Sequence, residues 1–207
     1  MRRAFISLDI EADGPSPATN SCLMLGFVVG LDDGEAPIEG DYSWILETKE
    51  WCLEPQENCA PDARCMNEFW SKNTDVLSYI QQRAQPASTV IAEFISWFAE
   101  LRQKYIITAW VARPGSYDAM WLNALYYRYS PVPRPKRWME LPFSFKCISS
   151  MLYVAELAGI KLPHARDNTL PHTHNAVDDA KSQGFIYKAL CAILAKHGQN
   201  AVICDKF

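Results

Sequence analysis

An apolar run that gives way to alternating polar and apolar side chains from Ser7 marks the start of the chain. Residues 4–10 (Ala-Phe-Ile-Ser-Leu-Asp-Ile) predict a strand that ends in the turn chemistry of Ala12-Asp-Gly-Pro-Ser-Pro17. Residues 22–30 (Cys-Leu-Met-Leu-Gly-Phe-Val-Val-Gly) predict a second strand, followed by an Asp32-Asp33-Gly34 turn, and Tyr42 to Leu46 predicts a third. Strands joined this way suggest an antiparallel meander. From about Asn67 the period lengthens: Ile91, Phe94, Ile95, Phe98 and Leu101 recur at three- and four-residue steps, the buried stripe of a helix. Residues 105–112 return to strand character, and a Pro114-Gly115 break leads into a helix from about Tyr117 to Tyr129. Residues 130–142 hold four prolines and predict a long surface loop carrying Arg134, Lys136 and Arg137. A strand near 143–147, a helix to Gly159, a loop over 161–173 and a final helix over about 175–197 complete the pattern. Strands first, then helices alternating with strands, predict an α/β domain with a mixed sheet.

Composition narrows the picture. A chain of 207 residues, 49% hydrophobic and 12% aromatic, can bury a sizeable core and is expected to form one domain over 1–207. No apolar run approaches the roughly 20 residues that span a bilayer, so no membrane association is expected. The apolar stretch after Met1-Arg-Arg is too short for a signal peptide and is interrupted by Asp9, so a cytoplasmic protein is expected. The seven cysteines include no C-x-x-C pair, and Cys52, Cys59 and Cys65 fit no common zinc module, so reduced, mostly buried thiols are expected. A net charge of −4 argues against a wide grip on duplex DNA, whose affinity comes from many phosphate contacts. It leaves room for a small cleft that holds a strand end.

Three groups of acids sit awkwardly for a core. In the first strand Phe5, Ser7, Asp9 and Glu11 share a face, which makes Asp9 and Glu11 same-face neighbours about 7 Å apart along the backbone. Two acids there repel and lose hydration, unless they lie at an exposed strand end or share a hard cation. In the second group, Asp118, Leu122, Leu125 and Tyr129 fall on one helical stripe, so Asp118 heads an inward face. The helix dipole alone favours an acid in that first turn, yet Ser116 is already placed to cap. In the third, Ala180, Gly184, Tyr187, Cys191 and Leu194 form the stripe of the final helix. At about 100° per residue, Asp178 faces solvent and Asp179 borders the stripe. With Asn175 as N-cap, Asp178 can complete a capping box. His174 precedes the helix, either as a surface loop residue or overhanging a site that Asp179 lines. His172 has the wrong spacing to Asp179 and reads as a loop residue.

In that order these groups resemble the DnaQ-like 3′–5′ exonucleases of the DEDDh type: Asp9-Ile-Glu11 as the first motif, Ser116-Tyr117-Asp118 as the second, His174 to Asp179 as the third. The runs Leu8 to Pro15 and His172 to Ala180, with Phe69-Trp70 ahead of a helix, resemble small bacterial and phage exoribonucleases of the RNase AS type and, less closely, RNase T. Many of those proteins carry Thr-Thr-Gly or Thr-Gly after the first motif, where this chain has Ala12-Asp13-Gly14. The resemblance implies a ribonuclease H-like fold, a five-stranded mixed sheet flanked by helices, and a single-stranded nucleic acid 3′ end as partner, RNA in preference to DNA. It also implies a homodimer.

Hydrolysing a phosphodiester requires an activated water and neutralisation of charge on the phosphate and the leaving oxygen, which two Mg²⁺ or Mn²⁺ ions in an all-oxygen carboxylate site supply. Asp9 is expected to bridge the ions, Glu11 and Asp179 to complete the set of the one nearest the attacking water, and Asp118 to serve the second. His174 is expected to act as general base, since imidazole titrates near neutral pH. For the substrate, Ala12 and Asp13 follow the first motif, Leu23 and Met24 are placed to abut the terminal base, and Trp70 and Tyr117 are aromatic candidates for stacking. Arg113, Lys161 and Arg166 are the basic residues nearest the motifs. Rival readings are an exodeoxyribonuclease, an endonuclease of ribonuclease H type, a DnaQ-like domain that binds without cutting, and a zinc hydrolase built on His172, His174 and a cysteine. The last leaves Asp9, Glu11 and Asp118 without a role.

Overall fold

The computed structural model describes residues 1–132, 145–160, 170 and 173–198. Five strands make one sheet: β1 (Arg2–Ala12), β2 (Cys22–Leu31), β3 (Ile45–Cys52), β4 (Tyr105–Ala112) and β5 (Phe145–Cys147). Their spatial order is β3-β2-β1-β4-β5. The β1–β2 and β2–β3 pairs are antiparallel, whereas β4 and β5 join in parallel. The predicted meander is therefore one half of the mixed sheet and the crossovers build the other half.

Side-chain alternation along β1 sorts the two layers. Ile6, Leu8 and Ile10 pack with Phe27 and Trp51 against α3 (Ala87–Lys104) and α4 (Gly115–Tyr129). Phe5 faces the other way, with Val28 and Val111, against α5 (Ile148–Leu157) and α6 (Ala176–Gly198). Beyond β3, α1 (Ala63–Glu68), a 3-10 turn (Trp70–Lys72) and α2 (Thr74–Arg83) cover the end of the sheet near the β1–β2 turn. This is the expected ribonuclease H-like α/β architecture.

Some expected boundaries move. The third strand spans 45–52 and not 42–46: Tyr42 is exposed, Trp44 turns its ring onto Phe5, and the charged residues of Ile45–Cys52 are tolerated because β3 lies at the sheet edge. Helix α4 starts at Gly115 with Pro114 as N-cap and no side-chain cap, so Ser116 lies inside the first turn. The final helix is buried on more than one stripe, since Gln183, Phe185, Ile186 and Lys188 are buried with Ala180 and Tyr187. The proline-rich loop, including Arg134, Lys136 and Arg137, and most of the 161–173 loop lie outside the described residues. Of the described cysteines, all free, only Cys22 and Cys52 are fully buried.

Two contacts set the course of α6 across the sheet. At its start the helix backbone lies directly on Gly26 of β2: a Cβ there would overlap the Ala176 carbonyl and the Val177 nitrogen. Further along, Lys188 Nζ donates to the Leu31 carbonyl at 3.1 Å and pairs with Asp33. Gly26 is also the partner of Asp9 in the β1–β2 ladder, so the start of α6 sits over the sheet beside Asp9. Gly26→Ala should therefore lift the helix start and cost about 1–3 kcal/mol, read as a lower urea midpoint at unchanged m-value. A midpoint equal to wild type would contradict the close approach.

Candidate active site

Asp9 and Glu11 project from the same face of β1, as alternation requires, toward the N-terminal end of α6. Glu11 is buried and Asp9 half-buried at the open end of the face. Asp118 reaches them from the first turn of α4, 2% exposed, with the backbone N–H groups of Asp118 and Ile10 directed to its carboxylate. Asp179 comes from the first turn of α6 and is buried. Its neighbour Asp178 points away and pairs with Lys181 at 2.9 Å. Asn175 accepts from the Val177 N–H at 2.9 Å, which makes it the N-cap. The expected return bond from Asp178 is relayed: Thr173 Oγ1 donates to Asp178 at 2.9 Å and accepts from the Asn175 N–H at 3.3 Å.

His174 has a φ of +56°, a left-handed conformation that turns its ring back over the site. The ring meets Phe69 edge to face, with centroids 4.8 Å apart at 82°. Donor atoms of Glu11, His174 and Asp179 all lie within 4.8 Å of one another. Among the described residues no cysteine belongs to this group, and His172 of the alternative zinc set lies outside them.

Around these residues opens a cleft of about 640 Å³, lined by Asp9, Glu11, Asp118, His174 and Asp179 and, toward its mouth, by Phe69, Arg113 and Tyr117. Among the described residues no lysine or arginine pairs with Asp9, Glu11 or Asp118. The consequence is electrostatic. Burial, then the charges of Asp118, Glu11 and Asp179, hold the Asp9 carboxyl well above its ordinary range, against a lowering hydrogen bond from Gln183. Burial, then Asp179 and Asp118, push Glu11 up to about 8. Burial raises Asp118 to about 7 despite its backbone hydrogen bonds.

The substrate candidates divide. Ala12, Arg113 and Tyr117 line the cleft. Asp13 does not: it is 2% exposed and accepts from the Ser21 N–H at 2.5 Å, bracing the β1–β2 turn. Leu23 and Met24 are buried in a small cluster with Cys52, Ile80 and Ala176, and so face the core rather than the cleft. Trp70 is buried too, its indole N–H donating to the Ala12 carbonyl at 3.0 Å, while its neighbour Phe69 takes the cleft-facing position. Lys161, Arg166 and His172 lie outside the described residues. Two residues have a place at the site that the sequence does not assign them, Phe69 having been noted only as part of the Phe69-Trp70 pair. Phe69 is adjacent to a better stacking candidate, and periodicity cannot decide which ring turns inward at a helix-to-3-10 junction. Gln183, whose Nε2 donates to Asp9 Oδ1 at 2.5 Å, was detectable as the residue one turn after Asp179 on the same helical face.

Solved structures share this fold. *E. coli* exonuclease I in complex with a dT13 oligonucleotide superposes with a TM-score of 0.66 at 13% identity, over 96% of this chain and 43% of that one. Exonuclease I from *Methylocaldum szegediense* gives 0.63 at 16% identity, over 91% and 40%. The nuclease domain of 3′hExo, a DEDDh family member bound to rAMP, gives 0.52 at 18% identity, over 100% and 98%. The chain thus spans less than half the length of the exonuclease I chains it matches. The sequence matches no protein-family model and no curated protein.

The raised acids have a signed consequence for the metal-free protein. Folded, Glu11 and Asp118 retain protons that the unfolded chain gives up at ordinary carboxylate values. Stability should therefore fall as pH rises from about 4.5 toward the folded values near 7 and 8. In EDTA, Glu11→Gln should melt at a higher temperature than wild type at pH 8, with the difference shrinking at pH 5. An unchanged melting temperature at pH 8 would contradict the buried repulsion.

Proposed function

We propose that the chain is a metal-dependent 3′–5′ exonuclease acting on single-stranded nucleic acid, RNA in preference to DNA, with residues 1–207 forming one nuclease domain. The observation that carries this reading is the convergence of Asp9, Glu11, Asp118, His174 and Asp179 from β1, α4 and α6 on one open cleft. The polarity and the choice of RNA rest on the resemblance of the three motifs and their flanking residues. The 3′hExo domain, solved with rAMP, is consistent with an RNA substrate. Exonuclease I, solved with dT13, keeps an exodeoxyribonuclease as the second reading.

The donor set fits hard divalent ions. Buried carboxylates with no cationic partner are costly unless a cation is shared, and all-oxygen sites suit Mg²⁺ or Mn²⁺. Asp9, Glu11, Asp118 and Asp179 would hold two such ions. When bound, the ions supply neutralisation of charge on the phosphate and activation of water for in-line displacement.

The chain's own residues do the rest. His174 takes the proton of the attacking water, and its edge contact with Phe69 together with its left-handed backbone fixes where the ring can stand. Tyr117, whose hydroxyl donates to the Gly14 carbonyl at 3.4 Å, walls the cleft opposite. Arg113, at the mouth, supplies a positive group for a phosphate.

Asp9→Ala should abolish hydrolysis of a single-stranded oligonucleotide in Mg²⁺. His174→Ala should keep its Mn²⁺ binding by calorimetry and turn over about 10²–10⁴-fold more slowly. Full activity in His174→Ala would remove it as the base, and full activity in Asp9→Ala would overturn the site itself.

A further inference from the structure

Behind the proposed active site, Gln183 is an uncharged polar side chain bonded to a candidate ligand. It is 7% exposed, sits one turn after Asp179 on α6, and directs its Nε2–H to Asp9 Oδ1 at 2.5 Å. In the ionised form that a cation ligand requires, the Asp9 carboxylate only accepts, which matches the amide nitrogen facing Oδ1. That orientation leaves Gln183 Oε1 buried without a hydrogen-bond partner among the described residues, and Ser7 Oγ, on the same face of β1 as Asp9, is likewise buried and unpartnered. A buried amide that leaves its own oxygen unmatched gives up stability. Here the bond it keeps is to the carboxylate at the centre of the acid cluster.

The residue type is informative. A lysine or arginine at 183 would pair with Asp9 and compete with a cation. A glutamate would add another negative charge, and a leucine would leave one Asp9 oxygen without a donor. Glutamine supplies a donor without charge. We propose that Gln183 is a positioning residue that fixes the Asp9 carboxylate, engaging Oδ1 and leaving Oδ2 directed to the cleft for a divalent cation. This rests on the reading of Asp9 as a metal ligand. Outer hydrogen-bond partners of metal ligands are worth about 10–100-fold in affinity.

The test is calorimetric titration of Mn²⁺ alone into wild type, Gln183→Met and Gln183→Asn. The methionine keeps the length and removes the donor; the asparagine keeps the amide and falls one methylene short. Both should raise the Mn²⁺ Kd by about 10–100-fold. At saturating Mn²⁺ they should recover kcat toward wild type, with KM for the oligonucleotide unchanged. A residue that merely packs α6 would lower the melting temperature in EDTA and leave the Mn²⁺ Kd where it was. Wild-type Mn²⁺ affinity in whichever variant melts cooperatively would overturn the role of Gln183. Absence of Mn²⁺ binding to wild type would instead overturn the metal reading beneath it. For a variant that is unfolded in EDTA, the Mn²⁺ Kd is read in trimethylamine N-oxide sufficient to restore cooperative folding, and a value equal to wild type under the same conditions would overturn the role equally.

Discussion

Repulsion among four carboxylates held in one cleft is the interaction around which the structure is arranged. Asp9, Glu11, Asp118 and Asp179 arrive from three different elements, and no arginine or lysine pairs with the first three among the described residues. Left to itself such a cluster would push β1, α4 and α6 apart. The hydrophobic layers on both faces of the sheet hold them together: Leu8 and Ile10 lock one side of β1 against α3 and α4, and Val177 and Ala180 fix the start of α6 against the other. The apolar core thus stores electrostatic work that a bound cation would release, as the proposed metal site requires.

The route by which α6 reaches the acids depends on a missing side chain. Because Gly26 has no Cβ, the first residues of the helix lie on β2 itself, and Asp179 and His174 come within reach of Glu11. Lys188, buried against Leu31 and Asp33, ties the same helix further along. Around the site, other polar groups serve this geometry. Asp13 and Ser21 close the β1–β2 turn, and Gln56 bonds both backbone groups of Cys22, so the end of β1 that carries Glu11 is braced from beneath.

Much of this could be read from the residues in order. Period-two alternation separated Asp9 and Glu11 from Leu8 and Ile10, and helical phase separated Asp179 from Asp178, because both are local rules that tertiary contacts did not override. The inward face of Asp118 was also legible, although the helix begins two residues before the expected start. What could not be read was orientation where local rules fall silent. Trp70 looked like a base platform, but its indole found the Ala12 carbonyl inside the protein and Phe69 took the surface position. Leu23 and Met24 lie on a strand with burial on both faces, so alternation gave no hint of which side met the cleft. The left-handed turn at His174 accompanies a ring contact with Phe69, more than a hundred residues away, which no local rule anticipates.

The central claim is that this cleft removes nucleotides one at a time from a 3′ end with the help of divalent ions. A 5′-labelled single-stranded RNA, incubated with Mg²⁺ and sampled over time, tests it most directly. The account predicts a ladder that shortens stepwise from the full-length band, the release of nucleoside 5′-monophosphates, and complete arrest in EDTA. Immediate internal cuts without a ladder would indicate an endonuclease, and no shortening of either RNA or DNA by well-folded protein would contradict the account altogether.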